Sequence, residues 1–259
     1  MSPLRVPLPV VFVLVSEAAG WKMAWVASAG MILIVGLPAI IKLISVERTP
    51  QSGDGPSDGR RKVRDWSMTE VMRDPVLYLL LIGILAPPFI GTTVFFHQGY
   101  LVALRGYDPL VFAGAFPVMA LTTVGFSLVC GYLVDRFGSL RLLPFFLLPM
   151  AISSAAVALI TPVWGIYLFM LLLGVSNGFS HTLLGALWPE VYGLANLGGI
   201  RAITVSAMVL ATALGPGITG VLIDLGVALP AQMLWMSLWC MLASVALAFA
   251  ARKVRVRQA

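Results

Sequence analysis

The side chains able to do chemistry in this chain are few, and they fall in two kinds of place. The first is a tight run, Gly131-Tyr-Leu133-Val-Asp135-Arg136-Phe-Gly138-Ser-Leu-Arg141, which sets an Asp, two Arg and two Gly between long apolar stretches. A carboxylate near a helix N-terminus gains from the helix dipole, and a guanidinium offers it two parallel N–H donors. Asp135, Arg136 and Arg141, with Glu190 and Arg201 further along, can therefore form and break charge pairs at one face of the protein. The plainer reading is that they anchor span ends at the membrane surface. The second kind of place is inside the apolar runs. Gly174, Asn177 and His181 stand at i, i+3 and i+7 and share one face of a helix. His97 and Gln98 lie late in their run, after a helix break at Pro87-Pro88, and Arg5 is the only charge of the stretch 3–16. Ionisable groups at membrane depth are expensive and seek a cavity or a partner. Arg5, His97, Gln98, Asn177 and His181 are thus the expected lining of a solute site, with Arg5 suited to a carboxylate. Each has a plainer alternative: an ordinary flank for Arg5, interfacial positioning for His97 and Gln98, and a helix–helix hydrogen bond for Asn177 and His181.

Composition decides which elements hold these groups. Of 259 residues, 59% are hydrophobic and 11% charged, and mean hydropathy is +0.96. A soluble domain of this size needs a polar surface that this chain lacks, so lipid must solvate it. Cys130 and Cys240 both lie within apolar runs and suggest neither a disulfide nor a metal site. The net charge of +6 is spread over span ends and forms no nucleic-acid patch. The N-terminus lacks a small-residue cleavage site. Trp21, Trp66, Trp164 and Trp188 fall near span ends, as an aromatic belt places them, and compose no cofactor box. No cofactor and no metal is expected.

A helix needs about 20 apolar residues to cross a bilayer. Full spans are expected at 24–45, 76–98, 109–134, 140–160, 163–187, 200–223 and 230–251, each continuous or nearly so, and none alternating with period two as a barrel strand does. Basic residues alternate loop by loop. They are dense in 46–75 and in the tail at Arg252, Lys253, Arg255 and Arg257, and sparse at 99–108 and 224–229. The basic side is cytoplasmic by the positive-inside rule, so the C-terminus and segment 46–75 are expected inside. Segment 49–62 has nothing apolar to bury and reads as a linker. Ser67-Met-Thr-Glu70 reads as a capping box opening a short interfacial helix. Trp66, Val71 and Met72 would rest at the membrane surface, and the helix would stop at Asp74-Pro75. The domain division expected is 1–45, 46–75, 76–251 and 252–259.

The spacing Gly-x-Leu-x-Asp-Arg-x-Gly-x-x-Arg at 131–141 resembles the loop signature of the major facilitator superfamily of secondary transporters. Other stretches agree. Gly20-Trp21-Lys22 resembles the Gly-Trp-Arg before the sixth helix of many members. Trp188-Pro189-Glu190-x-Tyr192-Gly193 and Gly198-Gly199-Ile200-Arg201 resemble the loop before the eleventh. Ala213-Leu-Gly215-Pro216-x-x-x-Gly220 resembles that helix, and Phe95-Phe96-His97-Gln98 resembles the seventh helix of monocarboxylate- and oxalate-porter-like members. The resemblance implies an all-α membrane protein: the C-terminal six-helix bundle of a twelve-helix facilitator fold plus the end of the N-terminal bundle. Residues 3–16 would belong to the fifth helix, with four helices missing before it, so the chain reads as a C-terminal portion of a bacterial transporter of the inner membrane. It implies alternating access about a midplane site, driven by a solute or proton gradient, and a small solute, an organic anion such as a monocarboxylate. It also implies a gate. The loop Asp135 caps a neighbouring helix, here the one starting near Gly198, and pairs with Arg when the inner gate closes, a set completed by Arg136, Arg141, Glu190 and Arg201.

Two other classes compete. An intramembrane enzyme would use His97, His181 and Glu190, but the two His lie toward opposite faces, and no nucleophile or metal-ligand spacing joins them. A truncated, non-transporting membrane protein is the other.

Overall fold

The computed structural model describes residues 15–16, 18–44, 64–108 and 110–258. Arg5 and the expected linker over 49–62 lie outside them. The chain divides into two units, 1–60 and 61–259. In the first, α1 (Trp21–Met31) runs through a π-helical turn at Ile32–Gly36 into α2 (Leu37–Ile44). Pro38 lacks the N–H that would meet the carbonyl four residues back, at Ile34, and the widened turn sits there. Trp25, Ile34 and Ile41 are exposed along this helix.

The second unit begins with α3 (Met68–Arg73). Its capping box is present: the Ser67 hydroxyl accepts from the Glu70 N–H, and the Glu70 carboxylate accepts from the Ser67 N–H. The helix stops at Asp74, whose side chain accepts from the Val76 N–H and so caps α4 (Pro75–Ile84). Val71 and Trp66 correct the sequence expectation. Val71 is fully buried in the bundle core, and Trp66 packs against Tyr192. Segment 64–74 is thus held by protein on its inner side, where the sequence pattern alone suggested lipid.

From α4 the chain passes Leu85 into α5 (Ala86–Phe96), which opens on Pro87 and Pro88. Together they form one 22-residue apolar rod. α6 (Gln98–Arg105) ends at Gly106, which has φ of 62°. Next comes α7 (Val111–Phe137), which is longer than expected: Asp135 and Arg136 belong to its last turn, and Gly138, with φ of 80°, makes the corner. The loop expected over 135–139 therefore shrinks to that glycine, where a side chain would be strained.

The expected continuous span over 140–160 is a larger correction. A single turn, α8 (Ser139–Leu142), gives way to successive turns through Leu147 and then α9 (Leu148–Leu159). Pro144 and Pro149 each withhold an N–H from the ladder here. The twelve residues of α9 are too few to cross a bilayer alone; the stretch from Ser139, bonded to Glu190 at one end of the bundle, to Ile160, bonded to Arg105 at the other, runs through it as α8, turns and α9 in series. At its far end, Arg105 donates to the Ile160 carbonyl at 2.7 Å and to that of Val157, satisfying carbonyls that the ending helix leaves free.

Three long helices complete the unit: α10 (Trp164–Tyr192), α11 (Leu197–Asp224) and α12 (Leu229–Gln258). Residues 252–258 of the expected basic tail are the last turns of α12. Among the described residues six helices are long and apolar enough to cross a membrane, not the seven expected. Packing is close where glycines allow it. A Cβ on Gly174 would lie 1.9 Å from Thr122 Oγ1, and one on Gly178 would lie 2.7 Å from the Thr123 carbonyl, so α10 rides directly on the α7 backbone. Gly215 meets the Phe89 carbonyl the same way and brings α11 onto α5.

Candidate functional site

One cavity of about 300 Å³ opens between α4, α5, α10 and α11, a volume at the small end for a ligand site. Its geometry follows from helical periodicity. On α10 the lining residues Asn177, Ser180, His181, Leu184 and Trp188 recur at three- and four-residue steps. On α11 the lining stripe is Arg201, Thr204, Val205 and Met208. Ile84, Pro87 and Pro88 form the third wall at the break between α4 and α5. Because the two prolines offer no N–H to the carbonyls of Gly83 and Ile84, backbone oxygens at this wall lack their helical partners.

The structure joins two sets that the sequence kept apart. Asn177 and His181, expected as solute lining, meet Arg201, which the family resemblance placed among the gate residues. Arg201 donates one guanidinium N–H to the Gly185 carbonyl at 3.1 Å. A guanidinium carries five N–H donors, and no carboxylate ion pair engages this one, the ion pairs among the described residues being Arg64–Glu70 and Arg257–Asp74. Walls that are mostly apolar, with a cation at one end, suit an amphipathic anion. Gly174 does not join the lining, since its face is taken by Thr122.

The other expected site residues go elsewhere. His97 closes α5 with its Nε2 3.1 Å from the Pro216 carbonyl of α11, and its ring lies 3.6 Å from where a Gly220 Cβ would stand. It is a helix–helix tie. Gln98 is half-buried at the start of α6 and does not line the cavity. Glu190 accepts from the N–H of Ser139 at 2.9 Å and from its hydroxyl. His97, His181 and Glu190 are therefore in three different settings, and the arrangement an intramembrane enzyme would need is not formed.

None of the expected gate pairs forms here. Asp135 and Arg141 are exposed, Arg136 bonds the Tyr132 hydroxyl at 3.2 Å, and the N-cap of α11 is Asn196, with no side chain capping it. Asp135 thus does not cap that helix.

A polar cluster that sequence reasoning missed lies at the same end of the bundle. Arg257 grips Asp74 in two parallel bonds, at 2.8 and 3.1 Å, and the Tyr192 hydroxyl donates to the same carboxylate at 3.1 Å. The guanidinium lies 4.7 Å from the Trp66 ring centroid. Asp65 accepts from the N–H groups of Leu194 and Ala195, and a Cβ on Gly193 would stand 2.3 Å from its carboxylate oxygen. Burial pushes the Asp74 carboxyl up, but the Arg257 and Val76 hydrogen bonds and the Arg257 charge outweigh it and hold the group below its ordinary range. Arg257 and Asp74 are 183 residues apart, a separation at which no local pattern can announce a pair.

A family model for the Major Facilitator Superfamily matches residues 8–216. The chain belongs to the Major Facilitator Superfamily. It is an all-α, multi-pass membrane protein and a secondary transporter of small solutes, and the superfamily's members are transporters, not enzymes. A search of curated proteins for relatives gave no match. The cavity described above is bounded on one side by the Pro87-Pro88 break.

Proposed function

We propose that the cavity is the solute site and that the solute is a small organic anion, such as a monocarboxylate, in the manner of monocarboxylate- and oxalate-porter-like members. The observation that carries the reading is Arg201, set beside His181 and Asn177 with most of its donors unspent. In that role Arg201 takes the carboxylate in a two-pronged contact, Asn177 orients it, and the apolar body rests on Pro87, Pro88 and Met208. His181, exposed on this face, is placed to carry a coupled proton, which makes the transport a symport. The facing wall comes from a second bundle, built from helices ahead of this chain in a longer protein, and alternating access rocks the two. Asp135, Arg136, Arg141 and Glu190 remain the gate candidates, their pairs forming in a state of the cycle other than this one. The reading places the protein in a bacterial inner membrane with the C-terminal end of α12 in the cytoplasm.

The test is uptake of labelled lactate, with glucose as the neutral control, into proteoliposomes carrying the full-length gene product. Arg201→Gln should lower kcat/KM about a hundredfold, the loss of a hydrogen-bonded charge worth roughly 3 kcal/mol, and Arg201→Lys should recover part of it. Unchanged lactate uptake in Arg201→Gln would sink the reading.

A further inference from the structure

The outward face of α12 changes character near its end. From Trp235 through Leu238, Leu242, Val245 and Phe249 it presents large exposed apolar side chains at three- and four-residue steps. In a membrane-spanning helix that face meets acyl chains. The same steps continue onto Arg252, Lys253 and Val256, all exposed, while Leu247, Ala250, Ala251 and Val254 keep the inner face buried. Arg255 is exposed beside them, its Nε 3.3 Å from the Ala251 carbonyl.

Depth is set by a neighbour. Arg257 holds Asp74, the N-cap of α4, so the last turn of α12 is level with the first turn of another membrane-spanning helix. Arg252 lies five residues earlier, about 7.5 Å toward the bilayer centre at a rise of about 1.5 Å per residue. Long cationic side chains at such a depth lay their stems along acyl chains and send their heads back to the headgroup layer. Among the described residues no carboxylate forms an ion pair with Arg252, Lys253 or Arg255. Asp74 is taken by Arg257, and Glu190, whose backbone carbonyl meets Gln258 at this helix end, has its carboxylate on Ser139. Arg73, exposed one residue before Asp74, adds a cation at the same level.

We propose that this end of α12 is a binding site for an anionic phospholipid. Arg252, Lys253 and Arg255 hold the headgroup phosphate, and one acyl chain lies along Phe249, Val245 and Leu242. A basic cluster at the end of a spanning helix attracts acidic headgroups, and the stripe supplies the second half of recognition, a track for the chain. The site is separate from the solute cavity and does not depend on what the cavity carries.

Native mass spectrometry of the purified protein, titrated with phosphatidylglycerol or with phosphatidylcholine of the same chains, tests this. Phosphatidylglycerol should bind saturably at low stoichiometry, and phosphatidylcholine weakly. Replacing Arg252, Lys253 and Arg255 together by Gln should weaken phosphatidylglycerol about a hundredfold, at roughly fivefold per cation, and leave phosphatidylcholine unchanged. Lys253→Glu, a single exposed change that the fold tolerates, should weaken it at least tenfold, and Arg252→Lys with Arg255→Lys should keep it. Millimolar inorganic phosphate should not displace the lipid. Wild-type phosphatidylglycerol binding in the triple or the Lys253→Glu variant, equal binding of the two lipids, or displacement by phosphate would each overturn the proposal.

Discussion

Asp74 gathers more chemistry than any residue in the sequence announced. It caps α4 through Val76, takes both prongs of Arg257 and accepts from Tyr192, at 5% exposure. Its carboxyl is held below the ordinary range. A carboxylate depressed in the folded state adds stability above its unfolded value, near about 3.9, and that contribution fades as pH falls through the lower folded value. The protein in detergent should therefore show a flat melting temperature at neutral pH and a fall in acid, and Asp74→Asn should remove that part of the fall while costing about 2 kcal/mol at pH 7. An Asp74→Asn protein with the wild-type acid profile would contradict the assignment. His97 is a different case, because the Pro216 carbonyl already occupies its ring nitrogen. His97→Gln, which keeps a donor, should leave lactate uptake within about twofold of wild type, whereas a solute-contacting His would lose far more.

Between elements, the decisive contacts are made by what is absent from side chains. α10 reaches the α7 backbone because Gly174 and Gly178 have no Cβ, and the adjoining stripe of α10 opens onto the cavity. Gly178→Ala should force the pair apart, since the neighbour at 2.7 Å is a backbone carbonyl that cannot rotate away. An overpacking cost of about 1–3 kcal/mol is expected, read as a lower melting temperature. Gly185, with open space around it, is the matched control and should tolerate Ala. Equal melting temperatures for the two variants would show that the helix pair is looser than drawn. The same logic explains α9: two prolines and an Arg105 cap make a short helix where hydropathy alone asked for a long one.

For the molecule as a whole, the asymmetry of charge sets the expected orientation. The latch of Asp74, Arg257, Tyr192 and Trp66 ties the segment before α4 to the end of α12, so both belong to one membrane face. By the positive-inside rule we propose that this face is cytoplasmic. A membrane-impermeant thiol reagent applied to intact cells should miss a cysteine placed by Ser57→Cys and reach one placed by Ala228→Cys, with the buried Cys130 and Cys240 silent in both. Labelling in the opposite sense would invert the protein in the membrane and the gate with it.

What the sequence alone determined is what local spacing and hydropathy control. The apolar runs set the spanning helices, Ser67 and Glu70 set a capping box, the Pro87-Pro88 pair set a break, and the 131–141 signature pointed to the superfamily. Asn177 and His181 were legible as one stripe because helical periodicity is local. Tertiary structure decided which stripes face each other. Whether Arg201 turns toward a gate or a cavity depends on the rotation of α11 about its axis, which packing against α5 at Gly215 fixes. Asp74 and Arg257 become partners only when the ends of α4 and α12 are brought together by the buried faces between them. A charge's type and depth can be read along a chain, but its partner lies across the fold, and packing alone selects it.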